Sequence, residues 1–335
     1  MRDDRLKVIA ELEQLTNSKI LVFITGDRRG LETRIAMDCY PLIFKHMSNL
    51  EPTEKLAIFI YTPGGDPLAA YAIANLLRQF NDSYSVIVPY KALSAGTLFS
   101  LGATKITMSR GGLLGPVDPS VTNPLGPKVT IPGTNTAVTV PVNVEDVNGF
   151  HKLAVDEWKL GSEANWAQAF KSLSENVHPL ALGSVHRARE QIAFLATTLL
   201  SYHMTDKEKV KSIVNLLTRE RFSHGYLIGR KEAKEVLHLP VQDTSPKSEE
   251  KISELMSHYE TLLELNLPYN QEAVLGTNQT TTATFSRGIV ESSYTTHVFR
   301  SVRNITRVSA SAGGLPQEGY LERNLQEAWV EDRTV

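Results

Sequence analysis

The sequence contains little that would support a disulfide scaffold, a metal centre or nucleic-acid binding. Of the 335 residues only Cys39 is a cysteine, which excludes a disulfide framework and a cysteine-based zinc site. The nine histidines never occur as HxH or HxxxH pairs, so no metal site is suggested. The 35 basic and 37 acidic side chains leave a net charge of −2. A dedicated nucleic-acid binder needs a basic surplus and is therefore not expected.

Apolar runs long enough to span a bilayer are also missing. The run at residues 192–200 has about half the length that a membrane-spanning helix needs. The N-terminal segment MRDDRLKVIAELEQL has the charge and spacing of a helix rather than of a signal peptide. Because 41% of the residues are hydrophobic, the chain can bury a large core. We therefore expect a folded protein of the cytoplasm without a membrane span.

Strand and helix patterns alternate over residues 1–110. Short apolar runs predict buried strands at residues 20–24, 56–61, 86–88 and 106–108. Helical patterns lie between them, at residues 31–47, from the Asp66-Pro67 start signal onward, and at residues 94–101. This alternation predicts an α/β domain with a mainly parallel sheet.

The remaining sequence is less regular. Residues 111–141 form a proline- and glycine-rich excursion with a hairpin predicted at 128–131 and 137–140, and we assign Asp118 and His224 to turns. Helices are predicted at 145–160, 163–174 and 184–201, after the capping box Thr205-x-x-Glu208, and from Ser245 to about Leu265. From Thr277 the pattern is weak. We expect a main domain over residues 1–244, a helical extension over 245–275, and a linker with a weakly ordered tail or partner-binding arm over 276–335.

Two turns depart from the simple strand-to-helix pattern. In the first, YTPGGD, Gly64 and Gly65 can adopt positive φ and direct backbone N–H groups at a ligand, or simply form a tight turn. It is not a phosphate loop, because GxxxxGK[ST] is absent. In the second, ALSAGT, Ser94 stands at a strand-to-helix junction, where a serine acts either as an N-cap or as a nucleophile.

Taken together, the two turns resemble those of the Clp protease/crotonase superfamily. Within it the sequence most resembles the serine dehydrogenase proteinase family, relatives of signal peptide peptidase A. The resemblance rests on FITGDRRG (23–30), YTPGGD (61–66), ALSAGT (92–97), LGPVDP (114–119) and HPLALG (178–183). Residues 224–234 resemble the closing strand and helix of peptidase A domains, and the whole resemblance covers roughly residues 18–242. It implies that the main domain is a Clp/crotonase-like hydrolase domain.

The resemblance implies a serine hydrolase that cleaves peptide bonds in a peptide or protein substrate, with no cofactor. Ser94 would be the nucleophile, the backbone N–H groups of Gly65 and Ala95 would form the oxyanion hole, and Gly64 would permit the turn. A crotonase-type acyl-CoA enzyme would use the same oxyanion hole without the serine. A third alternative is an assembly or binding protein that kept the fold and lost catalysis.

The general base is left open by the sequence. The superfamily uses either a histidine with an acid or a lone lysine, and the window in which a Clp-type histidine would occur, residues 115–120, contains none. The resemblance to peptidase A relatives brings Lys171 onto the place of their catalytic lysine. His178 is the alternative base, and Lys128 and Lys152 are weaker candidates.

We also expect a homo-oligomer. The resemblance implies rings or stacked trimers, and residues 111–141 are too long for an ordinary connection. The helix at 184–201 carries more apolar residues than one stripe needs: Ile192, Phe194, Leu195, Leu199 and Leu200. The tail is expected to contact another protein.

Overall fold

The computed structural model describes all residues except 52–54, 118–119, 122, 132–135, 219–224 and 313–314. The predicted turn residues Asp118 and His224 therefore lie outside the described residues. The chain forms two compact units, one of residues 1–114 and 228–335 (unit 1) and one of residues 115–227 (unit 2). The sequence had instead suggested a single main domain over residues 1–244.

Unit 1 is built on an eight-stranded sheet in the order β12-β5-β3-β2-β1-β13-β14-β15. The strands from β12 to β1 are parallel, and β13, β14 and β15 continue the sheet in antiparallel fashion. Their bounds are β1 Lys19–Thr25, β2 Leu56–Tyr61, β3 Tyr84–Val88, β5 Lys105–Met108, β12 Val241–Gln242, β13 Thr280–Glu291, β14 Thr296–Ala312 and β15 Leu315–Glu331. The predicted α/β fold with a mainly parallel core is confirmed.

The helices of unit 1 contact both the parallel and the antiparallel strands of the sheet. They are α1 Arg2–Thr16, α2 Cys39–Met47, α3 Pro67–Phe80, α4 Ala95–Leu101, α9 Arg230–Glu235, α10 Pro246–Leu262 and α11 Gln271–Leu275. Helices α1 and α10 bury their apolar residues with Ile20, Val22 and Phe59 in one cluster. Leu21 and Phe23, which point to the opposite face, are buried as well. The strands are therefore covered on both faces, which explains their continuous apolar runs.

Helix α3 begins as the sequence predicts. The Asp66 carboxylate accepts the N–H of Leu68 at 2.9 Å, and Pro67 occupies the first turn. The helix predicted at 31–47 is correct only from Cys39 onward. Ile35 instead forms a parallel β-bridge with Gly65, so a tertiary contact overrides the local helix preference.

A small three-stranded sheet carries the chain into the serine turn. It consists of β4 Lys91–Ala92, β6 Leu113–Leu114 and β11 Ile228–Gly229, in the order β11-β6-β4. Strand β4 runs parallel to β6, and one residue, Leu93, separates β4 from Ser94. Ser94, the N-cap of α4, therefore has a strand on one side and the helix on the other.

The C-terminal segment differs from its prediction. The sequence suggested a linker and a weakly ordered tail over residues 276–335, whereas this segment forms β13, β14 and β15 of the main sheet. Strand β13 pairs with the central strand β1, with Val22 opposite Glu291 and Thr25 opposite Gly288. Ile289 and Val290 are buried there. The segment is ordered because it pairs with residues far away in the sequence. A local sequence pattern does not predict such long-range pairing.

A buried ionic cluster fastens this segment to the helices. The Glu291 carboxylate accepts bonds from Arg5 Nε and Nη2, both at 2.8 Å, from the Tyr259 hydroxyl at 2.6 Å and from the Thr296 hydroxyl at 2.7 Å. These partners belong to α1, α10 and β14. One carboxylate thus joins four elements of unit 1.

A buried histidine pair makes a second connection. His46 Nδ1 lies 2.8 Å from the Ser292 hydroxyl, and His46 Nε2 lies 3.0 Å from His297 Nδ1. His297 Nε2 is 4.0 Å from a carboxylate oxygen of Glu331. Burial lowers the pKa of His46 to about 3 and also lowers the pKa of His297. Helix α2 is therefore tied to β14 by two rings whose neutral forms are favoured.

Unit 2 contains two short hairpin-like pairings and a group of helices. Strands β7 Ser120–Val121 and β10 Val142–Asn143 pair, as do β8 Lys128–Thr130 and β9 Ala137–Thr139, which confirms the predicted hairpin. The helices are α5 Val144–Lys152, continued by a π-helical segment Leu153–Glu157, α6 Glu163–Asn176, α7 Pro179–Ser201 and α8 Lys207–Thr218. Asp206, rather than the predicted Thr205, caps α8, since its carboxylate accepts the N–H of Lys209 at 3.0 Å.

Most of the additional apolar residues that the sequence analysis noted on α7 are buried within the chain itself. Ile192, Leu195, Leu199 and Leu200 are buried, and Phe194 alone of the five is exposed. Within the described part of the chain, no helix combines the length and the apolar character that a bilayer crossing requires.

Candidate active site

Ser94 has an unusual backbone conformation. Its φ of 50° and ψ of −113° lie in a region that non-glycine residues rarely adopt and that costs roughly 1–3 kcal/mol. The residue is the N-cap of α4, yet its side chain makes no capping hydrogen bond. No hydrogen bond joins its hydroxyl to any other residue that the structure describes. The hydroxyl is therefore available for chemistry rather than used to end the helix.

The Gly64–Gly65 turn packs directly against Ser94. Gly64 has φ 117° and Gly65 has φ 151°, which confirms the positive φ expected of this pair. A Cβ on Gly64 would lie 3.0 Å from Ser94 Cβ and 3.0 Å from the Leu93 carbonyl oxygen. A Cβ on Gly65 would lie 2.2 Å from the Ile35 carbonyl oxygen. Only glycine fits at either position.

Thr62 connects the glycine turn to the serine turn. Its N–H donates to the Lys91 carbonyl at 3.0 Å, and its carbonyl accepts the N–H of Leu93 at 3.1 Å. Its methyl group Cγ2 would be 2.4 Å from a Cβ on Gly96, so glycine is needed there for the close approach of α4. The distance between the two turns is thus fixed by backbone hydrogen bonds on each side of Thr62.

Two backbone N–H groups at this junction have no hydrogen-bond acceptor among the residues that the structure describes. The N–H of Ile35 donates to the Gly64 carbonyl at 2.9 Å, and the N–H of Asp66 donates to the Ile35 carbonyl at 2.8 Å, so the bridge leaves the N–H of Gly65 unused. Ala95 is the first residue of α4, where an N–H has no intrahelical acceptor. Neither N–H donates to any acceptor among the described residues. Such groups can stabilise an oxyanion beside Ser94.

The predicted base candidates lie in unit 2. Lys171, on α6, has a side chain that is 70% exposed, with Nζ 3.9 Å from a carboxylate oxygen of Glu175. His178 is the N-cap of α7, and its Nδ1 accepts the N–H of Leu180 at 3.1 Å. Lys128 lies on β8 and Lys152 ends α5. Within unit 2, Lys171 is an exposed surface group and His178 caps a helix, and the role of any of the four residues as a base stays a prediction.

An ion pair that sequence reasoning missed lies beside the two turns. Lys91 Nζ pairs with a carboxylate oxygen of Asp27 and lies 5.3 Å from the centre of the Tyr61 ring. The Tyr61 hydroxyl donates to the other oxygen of Asp27 at 2.6 Å. Burial and this bond raise the pKa of Tyr61. The cluster joins the carboxyl ends of β1 and β2 to β4. In the sequence it was indicated only by charged residues shortly after two apolar runs, Asp27 after residues 20–24 and Lys91 after residues 86–88.

A cavity of about 430 Å³ lies elsewhere in unit 1. Its lining includes Lys55, Tyr84 and Lys105, which stand at the amino ends of β2, β3 and β5. The glycine turn follows the carboxyl end of β2, the edge at which open α/β sheets bind their ligands. This cavity is therefore not part of the candidate active site.

Comparisons with known proteins found the following similarities. An uncharacterized protein of Methanocaldococcus jannaschii is 28% identical over 257 residues, which cover 75% of this chain and 78% of that protein. A second uncharacterized protein of the same organism is 31% identical over 125 residues, covering 35% of this chain and 42% of its own length. Among solved structures, a mutant of the 1510-N membrane-bound stomatin-specific protease aligns with a TM-score of 0.38 and 15% identity, over 70% of this chain and 86% of that one.

The family comparison covers the segment that carries both turns. The model of the family described as ClpP-like SDH-type serine proteinase matches residues 3–131. Gly64, Gly65 and Ser94 lie inside this segment, whereas Lys171 and His178 lie outside it. The match confirms, over residues 3–131, the resemblance to the serine dehydrogenase-type proteinases and the ClpP-like fold that the sequence predicts.

Proposed function

We propose that this protein is a serine peptidase in which Ser94 is the nucleophile and the N–H groups of Gly65 and Ala95 bind the oxyanion. The observation that carries the proposal is the strained backbone of Ser94, whose hydroxyl is uncapped and whose Cβ faces Gly64. Strain of this kind persists where the surrounding structure holds it in place, as at active sites. The match to a serine proteinase family supports the reaction class.

The reaction follows from these groups. The Ser94 oxygen forms a bond to the scissile carbonyl carbon, its proton passes to a base, and the carbonyl oxygen becomes an oxyanion. The N–H groups of Gly65 and Ala95 donate to that oxyanion, and removal of one such donor costs about 3 kcal/mol in other enzymes. The amine then leaves with the proton, and water hydrolyses the acyl-enzyme.

Lys171 is the base that we propose, with His178 as the alternative. The Lys171 side chain is 70% exposed in the isolated chain, so the proposal requires that bound substrate or a partner subunit covers it and excludes water. Replacing Lys171 with glutamine should then abolish turnover while leaving the fold intact. If the Lys171→Gln variant is fully active and the His178→Gln variant is not, the histidine takes this role.

A fluorophosphonate probe tests the nucleophile. We expect stoichiometric labelling of the wild-type protein and none of the Ser94→Ala variant. Ser100 is a matched control, because it is a buried serine on the same helix whose hydroxyl donates to the Gly96 carbonyl at 2.8 Å. The Ser100→Ala variant should label like wild type. An unlabelled wild-type protein with a native melting curve would refute the peptidase and favour a crotonase-type or inactive protein.

The homo-oligomer is part of the same proposal. Among the described residues of unit 2, the large apolar side chains with the greatest exposure are Phe170, Leu180 and Phe194. A symmetric assembly would cover them and restrict access to Ser94. Mass photometry at nanomolar concentration and light scattering at micromolar concentration should show multiples of 37.1 kDa. A single species of monomer mass in both measurements would contradict the assembly.

A further inference from the structure

We propose that Thr25 and Thr62 are positioning residues, whose linked hydroxyl groups fix the direction of the Gly65 N–H in the oxyanion hole. The inference rests on the proposed function, because it concerns a donor of the same site. The two threonines touch no substrate atom in this scheme and act through the peptide group that joins Gly64 to Gly65.

The direction of the Gly65 N–H is set by the Gly64 carbonyl. The two groups belong to one trans peptide, so they point in opposite directions. The Gly64 carbonyl oxygen accepts two hydrogen bonds, from the Ile35 N–H at 2.9 Å and from the Thr62 hydroxyl at 3.2 Å. With the carbonyl held on one side, the N–H of Gly65 must point to the other.

The Thr62 hydroxyl is fully used in this arrangement. It has one proton to donate and two lone pairs to accept with. It accepts the N–H of Gly64 at 3.0 Å and the hydroxyl of Thr25 at 2.6 Å, and it donates to the Gly64 carbonyl. Because Thr25 donates to Thr62, the Thr62 proton is directed at the carbonyl. Both threonines are only 1% exposed, so bulk water cannot replace either hydroxyl.

The turn needs such a restraint. Glycine adopts positive and negative φ with similar ease, so the sterics of Gly64 and Gly65 do not by themselves fix the peptide plane. If the peptide group between Gly64 and Gly65 rotated, both glycines would remain in the turn, but the Gly65 N–H would no longer point at the oxyanion. The hydroxyl pair supplies the orientation that the glycine backbone lacks, in a site where the donor must already point at the oxyanion.

The methyl and hydroxyl of Thr62 can be tested separately. Valine keeps the methyl that faces Gly96 and loses the hydroxyl, and serine does the reverse. With a fluorophosphonate probe and the full chain, we expect kinact of the Thr62→Val variant to fall by about 10–100-fold with KI unchanged. The Thr62→Ser variant should stay within about threefold of wild type. A merely structural role would not separate kinact from KI in this way.

Thr25 provides a second pair of variants and Thr218 a control. The Thr25→Val variant should lower kinact and the Thr25→Ser variant should restore it. This pair still tests the role of the hydroxyl groups if the Thr62→Val variant does not fold. Thr218 is a buried threonine of unit 2 whose hydroxyl donates to the Val214 carbonyl at 2.8 Å. The Thr218→Val variant matches the chemical change and should leave kinact unchanged.

Two results would overturn the inference while leaving the proposed function intact. One is a wild-type kinact in a folded Thr62→Val or Thr25→Val variant. The other is an equal loss in the Thr62→Ser and Thr62→Val variants, which would assign the effect to packing. A wild-type protein that the probe does not label at Ser94 would instead refute the proposed function, and this inference with it.

Discussion

Replacing Glu291 with glutamine should lower the free energy of unfolding of unit 1 by about 3–5 kcal/mol, the usual cost of removing one charge from a buried ion pair. Glu291 is fully buried and Arg5 is 2% exposed, so neither group can turn to water when its partner is lost. The substitution leaves the Arg5 guanidinium opposite an uncharged amide. It also replaces one acceptor oxygen with a donor, although both oxygens accept bonds: Oε2 from Arg5 and the Tyr259 hydroxyl, and Oε1 from Arg5 and the Thr296 hydroxyl.

The same geometry predicts strong coupling between the two charged residues. An Arg5→Met substitution alone should also be costly, because it leaves the buried carboxylate with only the more distant Arg2, whose Nε lies 3.7 Å from Oε1. The double variant should lose much less than the sum of the two, since the charges of Glu291 and Arg5 are then removed together. Domains are stable by only about 5–15 kcal/mol in total, so either single substitution removes a large share of the stability.

Tryptophan fluorescence gives a local readout of this loss. The chain has three tryptophans, of which Trp158 and Trp166 lie in unit 2 and Trp329 lies on β15. In a background with Trp158→Phe and Trp166→Phe, Trp329 alone reports guanidinium unfolding of the sheet. A Glu291→Gln effect below about 1 kcal/mol, or additive single-variant effects, would refute the claim that this cluster anchors the C-terminal strands.

Three further predictions follow from other contacts. The Gly65→Ala variant should lose probe labelling at Ser94, because its Cβ would meet the Ile35 carbonyl oxygen at 2.2 Å, whereas the Gly111→Ala control meets nothing closer than 3.9 Å. Full labelling of the Gly65→Ala variant would contradict the assignment of the glycine turn to the oxyanion hole. Because the folded-state pKa of His46 is about 3 and the unfolded value is about 6.5, the native state binds fewer protons. Stability is then present above pH 6.5 and lost as pH falls towards 3, by up to about 1.4 kcal/mol per pH unit. Denaturation at pH 5 and pH 7 should show this slope in wild type and less of it in the His46→Gln variant; equal slopes would refute the role of the buried ring. Limited proteolysis should spare residues 280–291, since β13 pairs with β14 along its length and residues 288–291 pair with β1 as well, and rapid cleavage there in the native protein would show that the strand is not held.

Local patterning was sufficient for the regular part of the fold and for the two turns. The apolar runs of β1 and β2 are buried on both faces, so they stand out in the sequence whatever lies around them. Asp66 caps α3 through its own neighbours, and the hairpin of β8 and β9 closes over a few residues. Gly64, Gly65 and Ser94 were identified because the two turns together resemble those of the Clp protease/crotonase superfamily, whereas each turn alone is also typical of an ordinary strand-to-helix junction.

The C-terminal strands could not be placed in this way. Residues 280–284 are largely threonine, which favours strands, and this β-branched content was the signal available. However, Thr280, Thr282 and Thr284 are exposed, so the first half of β13 has no apolar run. Its partner β1 lies more than 250 residues earlier in the chain, as the pairing of Val22 with Glu291 shows. Only the folded sheet brings these segments together.

The sequence by itself therefore determined what depends on neighbouring residues: the order of buried strands, the helix start at Asp66, and glycines where a backbone must take positive φ. The tertiary structure decided what depends on contacts across the chain. It placed Ile35 in an extended segment that forms a β-bridge with Gly65. It also brought the hydroxyl groups of Thr25 and Thr62 together next to the glycine turn. It also brought Arg5 and Glu291 together from opposite ends of the chain. Local propensities act over a few residues, whereas burial and hydrogen bonding of these groups arise only when distant segments meet.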